Sequence, residues 1–195
     1  MKGKSILIVA LMVVVSGLAQ ANLVTNGNFE DGLDGWGYWA GWGGWEACDD
    51  YVGRVSLGSW AESYPAVWQN TGALIEADTV YIMTVIGRAA PDAAGLRLRL
   101  EHDSGEDTTV MKEQYFYFPE EDRGEGNGPW RTFTMSLDTS DAEYTEFVGG
   151  DLFVSTAMVG EWWAHVANVT VVPEPATLAL LGLGSLGLLR RKRTV

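Results

Sequence analysis

The sequence predicts an all-β fold, a two-sheet antiparallel β-sandwich of the jelly-roll kind, between a signal peptide and a short C-terminal transmembrane helix. Two observations predict the sandwich. Residues 22–172 have no helical periodicity, and short runs rich in Val, Ile, Thr and aromatic residues alternate with turns rich in Gly, Asp, Asn and Ser. About eight to ten such strands without helices favour two packed sheets.

The predicted strands, in chain order, are 23–30, 52–57, 66–70, 79–86, 96–100, 108–118, 130–137, 151–158 and 162–172. In the 96–100 run leucines alternate with arginines, so the leucines are predicted to face the core. The 130–137 run alternates apolar residues with Thr and Ser in the same way. The 79–86 run is apolar on both faces apart from Thr84, which predicts a central strand that is covered on both sides.

The N-terminus has the pattern of an export signal. Lys2 and Lys4 precede an apolar run at 6–15, and an A-x-A site ends at Ala21. This arrangement predicts a signal peptide over 1–21 that signal peptidase removes after Ala21.

The C-terminus carries a second membrane signal. Pro173, Glu174 and Pro175 precede an apolar, Gly-rich run at 176–189, and Arg190 and Arg191 open a basic end. As a helix the run is about 21 Å long, short of the roughly 30 Å hydrocarbon core. It is therefore predicted to be a weak permanent anchor and an adequate transient one. The basic end is expected on the cytoplasmic side.

This arrangement resembles the PEP-CTERM sorting tail of Gram-negative bacteria. The resemblance implies that an exosortase, a membrane protease, recognises residues 173–195 and removes them near the Pro-Glu-Pro motif. Delivery to the cell surface or the extracellular matrix, after a transient stage in the inner membrane, is implied as well. A plain C-terminal membrane anchor is the alternative. The predicted domains are thus 1–21, 22–172 and 173–195.

Charge and cysteine content restrict the partners of the exported part. Residues 22–172 contain 7 basic and 25 acidic residues, a net charge of −18. Such a surface repels phosphate backbones, which excludes nucleic acid as a partner. The single cysteine, Cys48, cannot form an internal disulfide.

A second resemblance covers most of residues 22–172. The stretch NGNFEDG at 26–32, the pair Trp68-Gln69 and the closing run 168–171 are similar to carbohydrate-binding modules with a galactose-binding-like jelly roll. The resemblance implies that Trp36 belongs to the core. It also implies a structural calcium with Glu30 as a ligand, although Ala167 stands where the family has an aspartate.

A tryptophan-rich segment, WGYWAGWGGW at 36–45, is the main candidate for ligand binding. Its glycines exclude a stable helix. Trp39, Trp42 and Trp45, with Tyr38, are predicted to bind carbohydrate by stacking, and the alternative is that they pack over one end of the sandwich. The polar candidates for sugar hydroxyls are Glu46, Asp49, Asp50, Arg54 and Gln69.

No catalytic residue is predicted, because nucleophile, metal-hydrolase, phosphate-loop and dinucleotide motifs are absent from the sequence. We therefore expect a non-enzymatic surface or matrix protein that binds glycan or exopolysaccharide. A structural biofilm matrix protein without a discrete ligand is the alternative, and a glycoside hydrolase or lyase is the third hypothesis.

Overall fold

The computed structural model describes residues 21–39, 42–46, 51, 53–59, 65–90, 93–103, 108–123, 127–160 and 162–175. Its strands are β1 (Gly37–Trp39), β2 (Trp42–Glu46), β3 (Arg54–Ser59), β4 (Ala66–Leu74), β5 (Thr79–Ala89), β6 (Ala93–Asp103), β7 (Thr108–Tyr117), β8 (Arg131–Asp138), β9 (Asp151–Gly160) and β10 (Trp162–Pro175). Two short 3₁₀ turns accompany them, at Glu120–Asp122 and Ala142–Phe147. Within the described ranges, no helix has the length and apolar character to cross a membrane. The predicted C-terminal helix and all of the predicted signal peptide except Ala21 lie outside these ranges.

The strands form two five-stranded sheets. Sheet A has the order β1-β4-β9-β6-β7 and sheet B the order β2-β3-β10-β5-β8. All neighbouring strands in both sheets are antiparallel. The predicted two-sheet antiparallel sandwich is confirmed.

The core lies between the two sheets and follows the predicted alternation. Leu96, Leu98 and Leu100 of sheet A are fully buried, in one cluster with Met135 and Leu137 of sheet B. The polar residues between them lie on the outer faces, as the alternating pattern predicts.

The prediction of a doubly covered central strand is half right. β5 lies between β10 and β8, but its odd-numbered residues are buried and its even-numbered residues, from Val80 to Arg88, are only half-buried. Full coverage of both faces is wrong, because the outward side chains of β5 stay half-buried, although Trp130 lies over Arg88 at one end of the strand.

The predicted strand at 23–30 is also wrong. Asn26 and Phe29 have positive φ angles of 47° and 57°, which a strand cannot contain. The Asn26 side chain instead holds a series of turns, since its amide donates to the carbonyls of Gly32 and Asp34 at 3.2 and 3.0 Å. The ring of Phe29 lies 5.2 Å from that of Trp36.

The predicted core position of Trp36 is confirmed. Only 8% of Trp36 is exposed, and its indole N–H donates to the carbonyl of Asn26 at 3.0 Å. The Gln69 side chain on β4 makes three hydrogen bonds to the same segment. Its Oε1 accepts from the N–H of Thr25 at 2.9 Å, and its Nε2 donates to the carbonyls of Thr25 and Gly35 at 3.0 and 3.1 Å. These contacts fix the point from which β1 begins.

Candidate functional site

The outer face of sheet A, named here the aromatic face, collects exposed aromatic side chains. Trp39 of β1, Trp68 of β4 and Tyr115 and Tyr117 of β7 are 49%, 38%, 40% and 63% exposed. Their register partners place all four on this face. Among the side chains that the structure describes, no other aromatic residue is classed as exposed.

One cross-strand row runs the full width of the aromatic face. Trp39 pairs with Ala66, Ala66 with Ala157, Ala157 with Arg97 and Arg97 with Tyr115. Four strand spacings separate the two aromatic ends by about 19 Å. Ala157 is only 1% exposed and the Arg97 side chain 12%, so neighbouring atoms cover the middle of this row and the accessible aromatic surface lies at its two ends.

Trp68 owes its position to the absence of a side chain on β1. Gly37 is its direct register partner, and a Cβ atom at Gly37 would lie 2.2 Å from Nε1 of the Trp68 indole. The Trp68 indole therefore lies across the backbone of Gly37. Gly37 is two residues before Trp39 on β1.

The middle of the aromatic face is polar and ion-paired. Nε of Arg99 lies 2.5 Å from Oε2 of Glu113, and Nε of Arg97 lies 3.7 Å from the same oxygen. Glu101, 9% exposed, accepts a hydrogen bond from Ser155 at 2.6 Å. These side chains hold one another in place before any ligand is bound.

Glu113 is ionised more readily than an ordinary glutamate. Burial pushes its pKa up, but hydrogen bonds from Arg99 and Tyr115 and the charges of Arg99 and Arg97 outweigh burial. The pKa of Glu113 therefore lies below its usual value of 4.5. The ion pair persists throughout the neutral pH range.

The predicted carbohydrate-binding residues divide between the two sheets. Trp39 lies in sheet A on the aromatic face, whereas β2, with Trp42 and Trp45, pairs with β3 in sheet B. The side chains of Trp42 and Trp45 are outside the described set. Tyr38 pairs with the buried Val67, and its hydroxyl donates to the carbonyl of Ser56 at 3.5 Å.

Three exposed aromatic residues were not among the predicted site residues. Trp68 precedes Gln69, which was a candidate, in the sequence. Tyr115 and Tyr117 are two residues apart in a predicted strand, so the alternation of strand side chains could have placed both on one face. Gln69 itself is 3% exposed and engaged with the N-terminal segment, so it does not reach the aromatic face.

Ser56, His165 and Asn127 form a hydrogen-bonded group on sheet B. Nδ1 of His165 lies 2.9 Å from Oγ of Ser56, and Nε2 lies 3.1 Å from Oδ1 of Asn127. Ser56 is completely buried and His165 is 6% exposed. A nucleophile must reach its substrate, so this arrangement is a structural hydrogen-bond network.

Glu30, the predicted calcium ligand, is hydrogen-bonded to a neighbouring side chain. Glu30 is exposed and accepts a hydrogen bond from Asn28 at 3.3 Å, while Ala167 is completely buried. Within the described ranges, no group of three His, Cys, Asp or Glu side chains could hold a metal. Calcium needs six to eight oxygens, and backbone carbonyls can supply some of them, so the predicted site does not require three such side chains. Calcium binding stays a prediction.

The Pro-Glu-Pro residues of the predicted sorting tail are part of the sandwich. β10 continues through Pro173 and Glu174 to Pro175, which pair with Tyr81, Val80 and Thr79 of β5. Arg190, Arg191 and Cys48 lie outside the described residues. Residues 171–193 match the model of the PEP-CTERM protein-sorting motif.

The chain carries a PEP-CTERM sorting motif. A PEP-CTERM motif implies export and a location at the cell surface or outside the cell. No curated protein matches the chain in sequence. The motif covers only the end of the chain, so the nature of the sandwich depends on structural similarity.

Solved structures similar to the sandwich include carbohydrate-binding modules. "Family 16 Carbohydrate Binding Module-2" has 20% identity, a TM-score of 0.54 and coverage of 77% of this chain and 99% of its own. The CBM22-1 xylan-binding domain of Paenibacillus barcinonensis Xyn10C has 12% identity, a TM-score of 0.52 and coverage of 80% and 96%. A Stig cyclase from Fischerella sp. TAU has 14% identity, a TM-score of 0.62 and coverage of 80% and 99%. These similarities establish the jelly-roll fold, which binding modules and cyclases share.

Proposed function

We propose that this exported protein binds an uncharged extracellular polysaccharide through the aromatic face and does not catalyse a reaction. One observation carries the proposal: the four exposed aromatic side chains among those described share one face of one sheet. Exposed aromatic area on a soluble domain is unfavourable in water, and its concentration on one face favours a bound partner there.

Polysaccharide fits this face better than a protein partner does. The C–H face of a sugar ring is apolar and flat and can stack on Trp or Tyr, while its hydroxyls need donors and acceptors beside the ring. Trp39 and Tyr115 supply aromatic surfaces at the two ends of the alanine row, Arg97 supplies a polar group within it, and Ser155 supplies another in the adjacent row, opposite Trp68. A chain of a few sugar units spans the distance of about 19 Å.

Charge favours a neutral sugar over an acidic one. The aromatic face carries four carboxylates, on Glu101, Asp103, Glu113 and Asp151, against the guanidinium groups of Arg97 and Arg99. Glu113 is ion-paired with both arginines. An anionic polysaccharide would meet repulsion here.

Export and processing complete the proposal. We propose that signal peptidase cleaves after Ala21, and that an exosortase removes the PEP-CTERM tail after a transient inner-membrane stage in a Gram-negative cell. Trp39 is the predicted binding residue that the geometry supports. A contribution from Tyr38, Trp42 or Trp45 stays a prediction.

Binding is tested with the full chain in detergent against arrays of neutral and acidic polysaccharides. Neutral glycans should be retained, and the Trp39→Ala/Trp68→Ala double variant should lose them while a thermal melt shows that it is still folded at the assay temperature. Retention by the double variant would contradict the site. Absence of any glycan binding together with calcium-dependent self-association would favour the structural matrix protein, and release of reducing sugar would favour a hydrolase.

A further inference from the structure

The backbone direction of β10 explains why Pro173 and Pro175 can lie at the end of a paired strand. The N–H of Val169 donates to the carbonyl of Gly27, and the N–H of Val171 donates to Oδ1 of Asn22, both at 2.8 Å. Both partners belong to the N-terminal segment, on the side of β10 that faces away from β5. Odd-numbered residues in this part of β10 therefore direct their backbone N–H away from β5.

Pro173 and Pro175 are odd-numbered too, and the register of β10 with β5 is continuous from Asn168 to Pro175. Their nitrogens lie on the edge that faces away from β5, where no ladder bond is needed. The missing N–H groups of the two prolines therefore cost the β5–β10 ladder nothing.

Glu174 is the residue of the motif that forms the ladder. On β5, the backbone of Thr79 faces Thr139 on the β8 side. The N–H of Thr79 donates to Oγ1 of Thr139, and the N–H of Thr139 donates to the carbonyl of Thr79, both at 2.9 Å. By alternation Val80 directs its N–H and C=O toward β10, where Glu174 is its register partner. Glu174 and Val80 thus exchange both backbone hydrogen bonds.

Side-chain burial agrees with this backbone arrangement. Pro173 is buried opposite Tyr81, which is itself 1% exposed, while Glu174 is exposed. The motif therefore contributes a buried ring and a closed pair of hydrogen bonds to the domain. A protease needs an extended, unpaired segment around the bond it cuts, so it acts on such a strand only after local opening.

We propose that the folded sandwich keeps Pro173, Glu174 and Pro175 as the end of its last strand, so that the protease that removes the sorting tail cuts beyond Pro175. This inference uses the tail removal proposed above. The step breaks one amide C–N bond. Water or an acceptor amine adds to the carbonyl carbon, and the tail leaves with a proton on its new amino group.

The test compares two substitutions of Glu174 in the full chain, held in detergent micelles and digested with a broad-specificity protease. Glu174→Ala keeps the backbone N–H, and Glu174→Pro removes it. The intact mass of the resistant fragment gives its C-terminal residue. The wild type and Glu174→Ala should end at or beyond Pro175, whereas Glu174→Pro should be trimmed to a residue before Pro173.

Thermal melts of both variants verify that the rest of the sandwich is folded. A wild-type fragment that ends before Pro173, or equal trimming of the two variants, would overturn the proposal. Tail removal in the cell is measured separately, from the intact mass of the protein released by its own cells. A released chain that still ends at Val195 would refute tail removal without changing the protease result.

Discussion

Replacing Trp68 by alanine should weaken glycan binding by up to about thirtyfold. Trp68 exposes 38% of its surface, which is about 95 Å² of the roughly 250 Å² that a tryptophan can bury. Covering that area with a sugar ring contributes about 2 kcal/mol at about 25 cal/mol per Å², and about 1.4 kcal/mol corresponds to tenfold in Kd. The covered remainder of the side chain packs on the backbone of Gly37, so the variant should also lose stability, and its melt must show that it is folded at the assay temperature.

The assay is isothermal titration of the full chain in detergent with the neutral oligosaccharide that the array identifies. Trp130→Ala is the matched control, since Trp130 contacts Arg88 on the outer side of sheet B, with the guanidinium carbon 4.5 Å from the ring centroid. It should change Kd less than twofold. Equal losses for the two variants, or an unchanged Kd for Trp68→Ala, would refute the assignment of binding to the aromatic face.

Four further outcomes follow from the same contacts. Gly37→Ala should lower affinity, because its Cβ would lie 2.2 Å from the Trp68 indole, and it should cause no additional loss in the Trp68→Ala background. Gln69→Leu removes three hydrogen bonds, so chemical denaturation should show a loss of about 3 kcal/mol at about 1 kcal/mol each; a loss below about 1 kcal/mol would contradict this role. Glu113→Gln should lower stability at pH 7. Because the pKa of Glu113 is lowered in the fold, its contribution is complete above the usual 4.5 and is lost as pH falls through the lowered pKa of the folded state, below which thermal melts of the two proteins should converge; a difference independent of pH would contradict the ion pair. If Glu30 helps bind structural calcium, EDTA should lower the melting temperature and calcium restore it, and an unchanged midpoint would exclude the metal.

Much of the fold could be predicted because strand alternation is a local property. Leu96, Leu98 and Leu100 identify their own inward face from a period of two, and the core confirms it. The failed strand at 23–30 shows the limit of this reasoning. Its apolar residues resemble a strand, but Asn26 forms turns through contacts with carbonyls six and eight residues away.

The candidate site was harder to predict, because its members are distant in sequence. Trp39 and Tyr115 share one row only through the pairing of five strands. The four tryptophans of 36–45 look like one unit in the sequence, yet β1 and β2 belong to different sheets. Side-chain spacing along a chain does not reveal the point at which the chain leaves one sheet for the other.

The sequence by itself determined the sandwich class, the core position of Trp36, the acidic charge and the PEP-CTERM motif, because period, composition and short motifs are encoded by neighbouring residues. Only the tertiary structure decided which aromatic residues share a face, and that Pro173, Glu174 and Pro175 end a paired strand. The physical reason is the same for both: antiparallel register joins residues that are tens of positions apart. Long-range pairing therefore turned an aromatic-rich chain into one candidate binding face.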